Sequence, residues 1–193
     1  MPASVTLVRH GETAWSAAGR HTGRTDVPLT AEGERKAAAL AARLAGRTFD
    51  RVFTSPLQRA MRTCAFAGFA DRATVDPDLL EWDYGDYEGR TSRDIAVARP
   101  GWMLFRDGCP NGENAADVGL RVDRVIARLR AADDHVLVFS SAHLLRTLAA
   151  RWLGLPPSDG RLFVLDTASV SGLGYEHGDT AEPVVTAWNL TGP

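Results

Sequence analysis

Arg9-His10-Gly11-Glu12-Thr13 directly follows the apolar run Val5-Thr6-Leu7-Val8. The run reads as a buried strand, which puts an arginine and a histidine at its C-terminal mouth, where Gly11 lets the backbone turn. Ligands of open α/β sheets bind outside the carboxyl ends of strands. A planar guanidinium there suits an anionic group such as phosphate. A histidine held against phosphate can attack phosphorus and form a covalent intermediate. The residues therefore point to phosphoryl transfer with His10 as nucleophile. A second histidine repeats the placement: Val136-Leu137-Val138-Phe139 is the most apolar strand, and Ser140-Ser141-Ala142-His143 follows it.

The elements around these residues alternate. Thr30 is expected to cap a helix ending near Gly46, with Ala37, Leu40, Ala41 and Leu44 on one face. Val52-Phe53-Thr54 reads as a short strand. Ser55-Pro56-Leu57-Gln58 reads as a helix start in which Ser55 caps, Pro56 takes the first position and Gln58 closes a capping box. That helix is expected to run to about Gly68. It carries Arg59 in its first turn, where the helix N-terminus also attracts anions. Ala73-Thr74-Val75 reads as a strand and Ser92–Ala98 as a short helix within an otherwise irregular stretch. A longer helix is expected over Glu113–Arg130, striped by Val118, Val122, Val125, Ile126 and Leu129. A last helix is expected over Leu144–Leu153, then strands near Leu162–Leu165, Ser169–Tyr175 and Val184–Trp188. The alternation predicts a three-layer α/β/α sandwich with a mostly parallel central sheet, as a single domain over 1–193.

Composition removes several alternatives. The chain has 193 residues and a net charge of −2, so no global basic field argues for a nucleic-acid partner. Lys36 is its one lysine, and no Gly-rich loop ends in Lys-Ser/Thr, which excludes a nucleotide P-loop. No apolar run approaches the ~20 residues that span a bilayer, so no membrane partner is expected. Cys64 and Cys109 lie far apart in no paired motif. With no visible signal peptide, a reducing cytoplasm is the expected compartment.

Four segments taken together resemble the histidine phosphatase superfamily, which has the phosphoglycerate mutase-like fold. They are Arg9-His10-Gly11-Glu12-Thr13-Ala14-Trp15, Ser55-Pro56-Leu57-Gln58-Arg59-Ala60-Met61-Arg62-Thr63, Glu81 in Glu-Trp-Asp-Tyr-Gly, and His143 before Arg146. The resemblance covers nearly the whole chain in order. It implies that His10 becomes phosphohistidine, and that Arg9, Arg59 and His143 surround the phosphoryl oxygens. It also implies that Glu81 protonates the leaving alkoxide and then activates water. Thr22, Gly23 and Tyr84 match substrate-contacting positions of the family. Ser16 stands where the family often has asparagine, and a hydroxyl can still donate to phosphate. Leu144 stands where it usually has glycine, leaving a backbone amide to serve there. No cofactor and no metal is implied, because arginines supply the electrostatics.

The same groups support a mutase, which keeps the phosphoenzyme dry, and a phosphatase, which admits water. The interval from Glu81 to His143 is 143 − 81 = 62 residues, short beside the family's mutases. A less capped, wetter site and hydrolysis are expected. A closer resemblance is to the fungal sedoheptulose bisphosphatase branch and related bacterial acid phosphatases. It is carried by Gly19-Arg20-His21-Thr22-Gly23-Arg24-Thr25-Asp26, by Glu81 through Gly89, and by Arg106 through Glu113. It implies a small phosphorylated metabolite, a sugar mono- or bisphosphate, with Arg24 and Arg106 on a distal phosphate. A phosphoglycerate mutase-type phosphotransferase and a catalytically silent binder of phosphorylated ligands are the other readings. A homodimer is left open.

Overall fold

Val5 and Leu7 pack on one side of the central sheet with Val136 and Val138, while Val8 packs on the other with Leu137 and Phe139. This two-residue alternation lets one strand face two helical layers. The computed structural model describes residues 3–192. Its strands are β1 (Ser4–Arg9), β2 (Arg51–Thr54), β3 (Ala73–Val75), β4 (His135–Ser140), β5 (Val170–Tyr175) and β6 (Pro183–Leu190). Its helices are α1 (Ala14–Ala17), α2 (Ala31–Leu44), α3 (Gln58–Phe66), α4 (Ser92–Ala98), α5 (Leu104–Asp107), α6 (Ala115–Leu129) and α7 (Ala142–Trp152).

The sheet order is β3-β2-β4-β1-β5-β6. The first four strands are mutually parallel, and β5 and β6 are antiparallel additions beside β1. Leu40 and Leu44 of α2 and Cys64 of α3 cover one face; Val118, Val122 and Val125 of α6 and Leu144, Leu145 and Leu148 of α7 cover the other. The result is the mostly parallel three-layer α/β/α arrangement. Because the four parallel strands run the same way, their carboxyl ends share one edge. One expected functional segment follows each: Arg9-His10 after β1, Arg59 after β2, Glu81 after β3 and His143 after β4.

Two local expectations are corrected. The α3 helix begins at Gln58 with Leu57 as its cap residue and no side-chain cap bond. Ser55 Oγ accepts only from the Leu57 amide at 3.4 Å, and Gln58 reaches away to the Asp26 carbonyl while its own amide donates to Asp26 Oδ1. A partner from a distant loop has displaced the local box. Leu162–Leu165 is no strand: a 3-10 turn over Pro157–Leu162 leads into irregular chain. There the Val164 carbonyl accepts from Trp188 Nε1 instead of from a sheet partner.

Candidate active site

His10 is 4% exposed and its backbone is tied into the sheet edge, with its amide donating to the Ser140 carbonyl at 2.9 Å. Its Nδ1 lies 2.7 Å from the Gly11 carbonyl. A carbonyl can only accept, so Nδ1 carries the proton and Nε2 keeps its lone pair. Burial, with Arg9 and Arg59 nearby, holds this imidazole well below its ordinary range, so it is neutral and able to attack. The loop after it is held twice. The Gly11 amide donates to Thr63 Oγ1 at 2.9 Å, and Thr63 in turn donates to the Arg59 carbonyl. Gly11 also lies against Gly33 of α2 so closely that a Cβ on either would strike backbone.

His10 lines a cavity of about 180 Å³ together with Arg9, Ser16, Gly19, Arg20, His21, Thr22, Glu81, Tyr84, Ala142 and His143. Arg9 donates from Nη1 to the Leu165 carbonyl, and its buried Nε, like that of Arg59, has no acceptor among the described residues. Glu81 is 3% exposed, and its carboxylate meets three backbone amides. Oε1 accepts from Trp82 and Leu144 at 2.9 and 2.8 Å, and Oε2 accepts from His143 at 3.0 Å. The last two amides belong to the first turn of α7, whose cap residue Ser141 makes no side-chain cap bond. A carboxylate on a helix N-terminus is well placed electrostatically. His143 Nδ1 lies 2.6 Å from Tyr84 Oη. Burial, with Arg146, His21 and Arg9 around it, holds this ring too well below the ordinary imidazole value.

The structure brings His10, Arg9, Glu81, His143, Tyr84, Ser16 and Thr22 to one cavity. It does not bring all of the expected set there. Arg59 is fully buried behind the wall, and its terminal nitrogens donate to the carbonyls of Thr22, Gly23 and Thr25 at 2.9–3.0 Å. Its charge reaches His10, but its hydrogen bonds hold the loop. The Ser16 hydroxyl is spent on the backbone of Thr13, donating to its carbonyl and accepting its amide. Thr22 Oγ1 donates to the Arg20 carbonyl. The Gly23 amide donates to Glu88, away from the cavity. The Leu144 side chain is fully buried and its amide belongs to Glu81. Arg24 pairs with Asp83 at 3.5 Å. Arg106 is bound to Asp107 and to the Gly101 carbonyl. Neither arginine lines the cavity, because local carboxylates and carbonyls take both.

Sequence reasoning passed over three residues. Arg20 lines the cavity, is exposed, and its guanidinium has no hydrogen bond or ion pair among the described residues. Arg121 of α6 donates to the carbonyls of Asp78 and Leu80 at 2.9 and 2.7 Å and to both oxygens of Glu113. Glu113 in turn accepts the Asp83 amide at 2.8 Å. The signal for Arg121 was present: a charge beside Val118 and Val122 on the buried stripe of a helix. Gly85, directly after Tyr84, has φ +49°, and a Cβ there would strike the Pro110 backbone, so the two loops close only over glycine. A larger groove between α2 and the residues after β6 is lined by Arg35, Lys36, Arg43 and Asp166. Its cations are already paired, and its lining includes neither histidine nor cysteine. No helix among the described residues is long and apolar enough to cross a membrane.

Comparison with known proteins agrees with this geometry. The sequence profile of the histidine phosphatase superfamily (branch 1) matches residues 5–191. An acid phosphatase of Mycobacterium tuberculosis is 42% identical over 177 residues, covering 89% of this chain and 86% of that one. A sedoheptulose 1,7-bisphosphatase of Saccharomyces cerevisiae is 33% identical, covering 97% of this chain and 92% of that one. The solved structure of a functionally characterised open reading frame of Mycobacterium tuberculosis superposes with a TM-score of 0.90 at 38% identity, covering 98% of both chains.

Proposed function

This chain belongs to the histidine phosphatase superfamily and is a phosphatase-type hydrolase, and we propose that it cleaves small phosphorylated metabolites, sugar mono- or bisphosphates, through a phosphohistidine on His10. The observation that carries this reading is the His10 tautomer. The Gly11 carbonyl commits Nδ1 to donate, so the free lone pair is on Nε2 of a ring that lines the cavity shared by Arg9, Glu81 and His143.

The chemistry balances as two displacements. His10 Nε2 attacks phosphorus of the monoester, the P–O bond to the sugar breaks, and the leaving oxygen takes a proton from the Glu81 carboxyl. Water then attacks the phosphohistidine, gives its proton to the Glu81 carboxylate, and the P–N bond breaks to release phosphate and neutral His10. Arg9 meets the phosphoryl oxygens with its unpaired Nε–H, and the Arg59 charge adds to the field behind it. The arginines carry the charge stabilisation, so turnover is expected to survive a chelator. Arg20 at the rim supports a substrate with a second anionic group, and the two unpaired buried cysteines suit a reducing cytoplasm.

The test is phosphate release in chelator from sedoheptulose 1,7-bisphosphate, fructose 1,6-bisphosphate and an aryl phosphate, with a denaturing alkaline quench of phosphorus-labelled substrate to look for an alkali-stable, acid-labile phosphoprotein. The reading expects label on wild type and neither label nor release with His10→Ala. Wild-type turnover in that variant would sink it.

A further inference from the structure

Three histidines line one cavity, and for two of them, His10 and His143, the protein partners contact the same ring nitrogen in opposite senses. On His10 the partner is a carbonyl, which accepts from Nδ1. On His143 the partner is the Tyr84 hydroxyl, 2.6 Å from Nδ1, and a hydroxyl can donate. We propose that Tyr84 is a positioning residue that fixes His143 with its proton on Nε2, making it a neutral donor aimed at the phosphoryl group.

The alternatives fail on partners. Were Nδ1 the donor, the Tyr84 O–H would need a second acceptor. Tyr84 is 2% exposed, and its hydroxyl contacts no other acceptor among the described residues. Glu81 Oε2 is the other acceptor near Nδ1, at 4.0 Å, beyond hydrogen-bond reach, and it already accepts the His143 amide. Nδ1 as donor would also leave a bare lone pair on Nε2 facing an anion. A doubly protonated ring is disfavoured by the burial that holds His143 neutral. Burial likewise keeps the Tyr84 proton in place by pushing that hydroxyl well above its ordinary value. Tyr84 is itself held by the ring of His21, 4.7 Å away between centroids, and by the turn at Gly85. One histidine is thus left as the nucleophile and the other as a donor, selected by what touches Nδ1.

The tautomer stands on hydrogen-bond geometry and burial; its use as a phosphoryl donor rests on the phosphatase reading. Two-bond proton–nitrogen spectra of the full-length ¹⁵N-labelled protein at neutral pH separate the two. The His143 signals are assigned by their loss in His143→Asn. The expected pattern is a protonated Nε2 and a hydrogen-bonded, proton-free Nδ1 for His143, with the reverse for His10. Tyr84→Phe keeps the ring and removes only the hydroxyl. It is expected to shift the His143 Nδ1 signal and to lower kcat on an aryl phosphate about tenfold, with KM changed less than twofold. A proton on Nδ1 of His143 in wild type overturns the proposal, as does an unchanged spectrum in Tyr84→Phe. Absence of turnover in wild type would count against the phosphatase reading and leave the spectrum decisive for the tautomer.

Discussion

Arg121 grips Glu113 with two hydrogen bonds, Nε to Oε1 at 3.0 Å and Nη2 to Oε2 at 2.8 Å, and the pair brackets the segment that carries Glu81. Arg121 holds the carbonyls of Asp78 and Leu80 on one side, and Glu113 holds the Asp83 amide on the other. Ser140 Oγ takes the intervening Leu79 carbonyl. The 3-10 turn at Pro77–Leu79 and the irregular chain after it are thereby held from three sides.

Arg121→Met is expected to lower kcat at least tenfold by loosening Glu81, and to cost about 2–4 kcal/mol, because a mostly buried carboxylate loses its partner. Urea denaturation and steady-state kinetics read the two effects. Adding Glu113→Gln should recover stability more than kcat. Unchanged kcat in Arg121→Met would show that the helix α7 amides alone place Glu81.

Arg20 is exposed in the cavity lining and has no side-chain partner among the described residues. Arg20→Ala is expected to raise KM for fructose 1,6-bisphosphate about tenfold, the effect of one charge-assisted contact, and to leave KM for an aryl phosphate within twofold. Arg20→Lys should recover part of the loss. Equal changes on both substrates would remove the second anionic group from the proposed substrate.

Gly33→Ala places a methyl against the Glu12 backbone, directly after the nucleophile loop. The glycine is in helix α2, where alanine would otherwise be favoured. Overpacking against backbone is expected to cost about 1–3 kcal/mol, with a melting temperature lower by about 2–4 °C per kcal/mol for a chain of this size. Activity should fall further than stability explains, since His10 moves with Glu12. A stabilised variant would contradict the contact.

His10, His21 and His143 all lie below the ordinary imidazole value of 6.5 because of burial, His21 at about 4. In the unfolded chain these rings bind protons below 6.5 while in the fold they stay neutral. The unfolded state therefore holds more protons, and stability rises with pH through that window. Stability should be level above about pH 7 and fall on acidification, by at most about 1.4 kcal/mol per pH unit for each ring. The His21 share is exhausted near 4. Carboxylates depressed by arginine partners, Glu32 and Asp107 at about 2, act only at lower pH. Urea midpoints at pH 7.5, 6.5 and 5.5 test this, and His21→Gln should flatten the slope. A flat profile in the wild type would mean that the rings are solvated.

The apolar runs at Val5–Val8 and Val136–Phe139 were legible because both faces of an inner parallel strand are covered, which leaves little room for polar residues. The same reasoning erred at Leu162–Leu165. Those residues are apolar because Leu165 is buried and Phe163 stacks on Trp188, yet Leu162 and Val164 are exposed and no ladder forms. Arginines were the least legible residues. Arg24, Arg106 and Arg20 look alike in sequence, and only their neighbours in space separate a paired cation from a free one. The capping of α3 by Asp26 was hidden for the same reason, with the partners 32 positions apart.

The guanidinium of Arg59 ties three carbonyls of the loop that walls the cavity. Swinging that loop outward would strand a fully buried cation without acceptors, so the wall behaves as masonry and not as a hinged door. Substrate can then enter past the exposed Arg20 without that loop moving. Turnover is not expected to wait on this loop to close. Discrimination among phosphate esters falls to whatever the leaving group meets at that doorway.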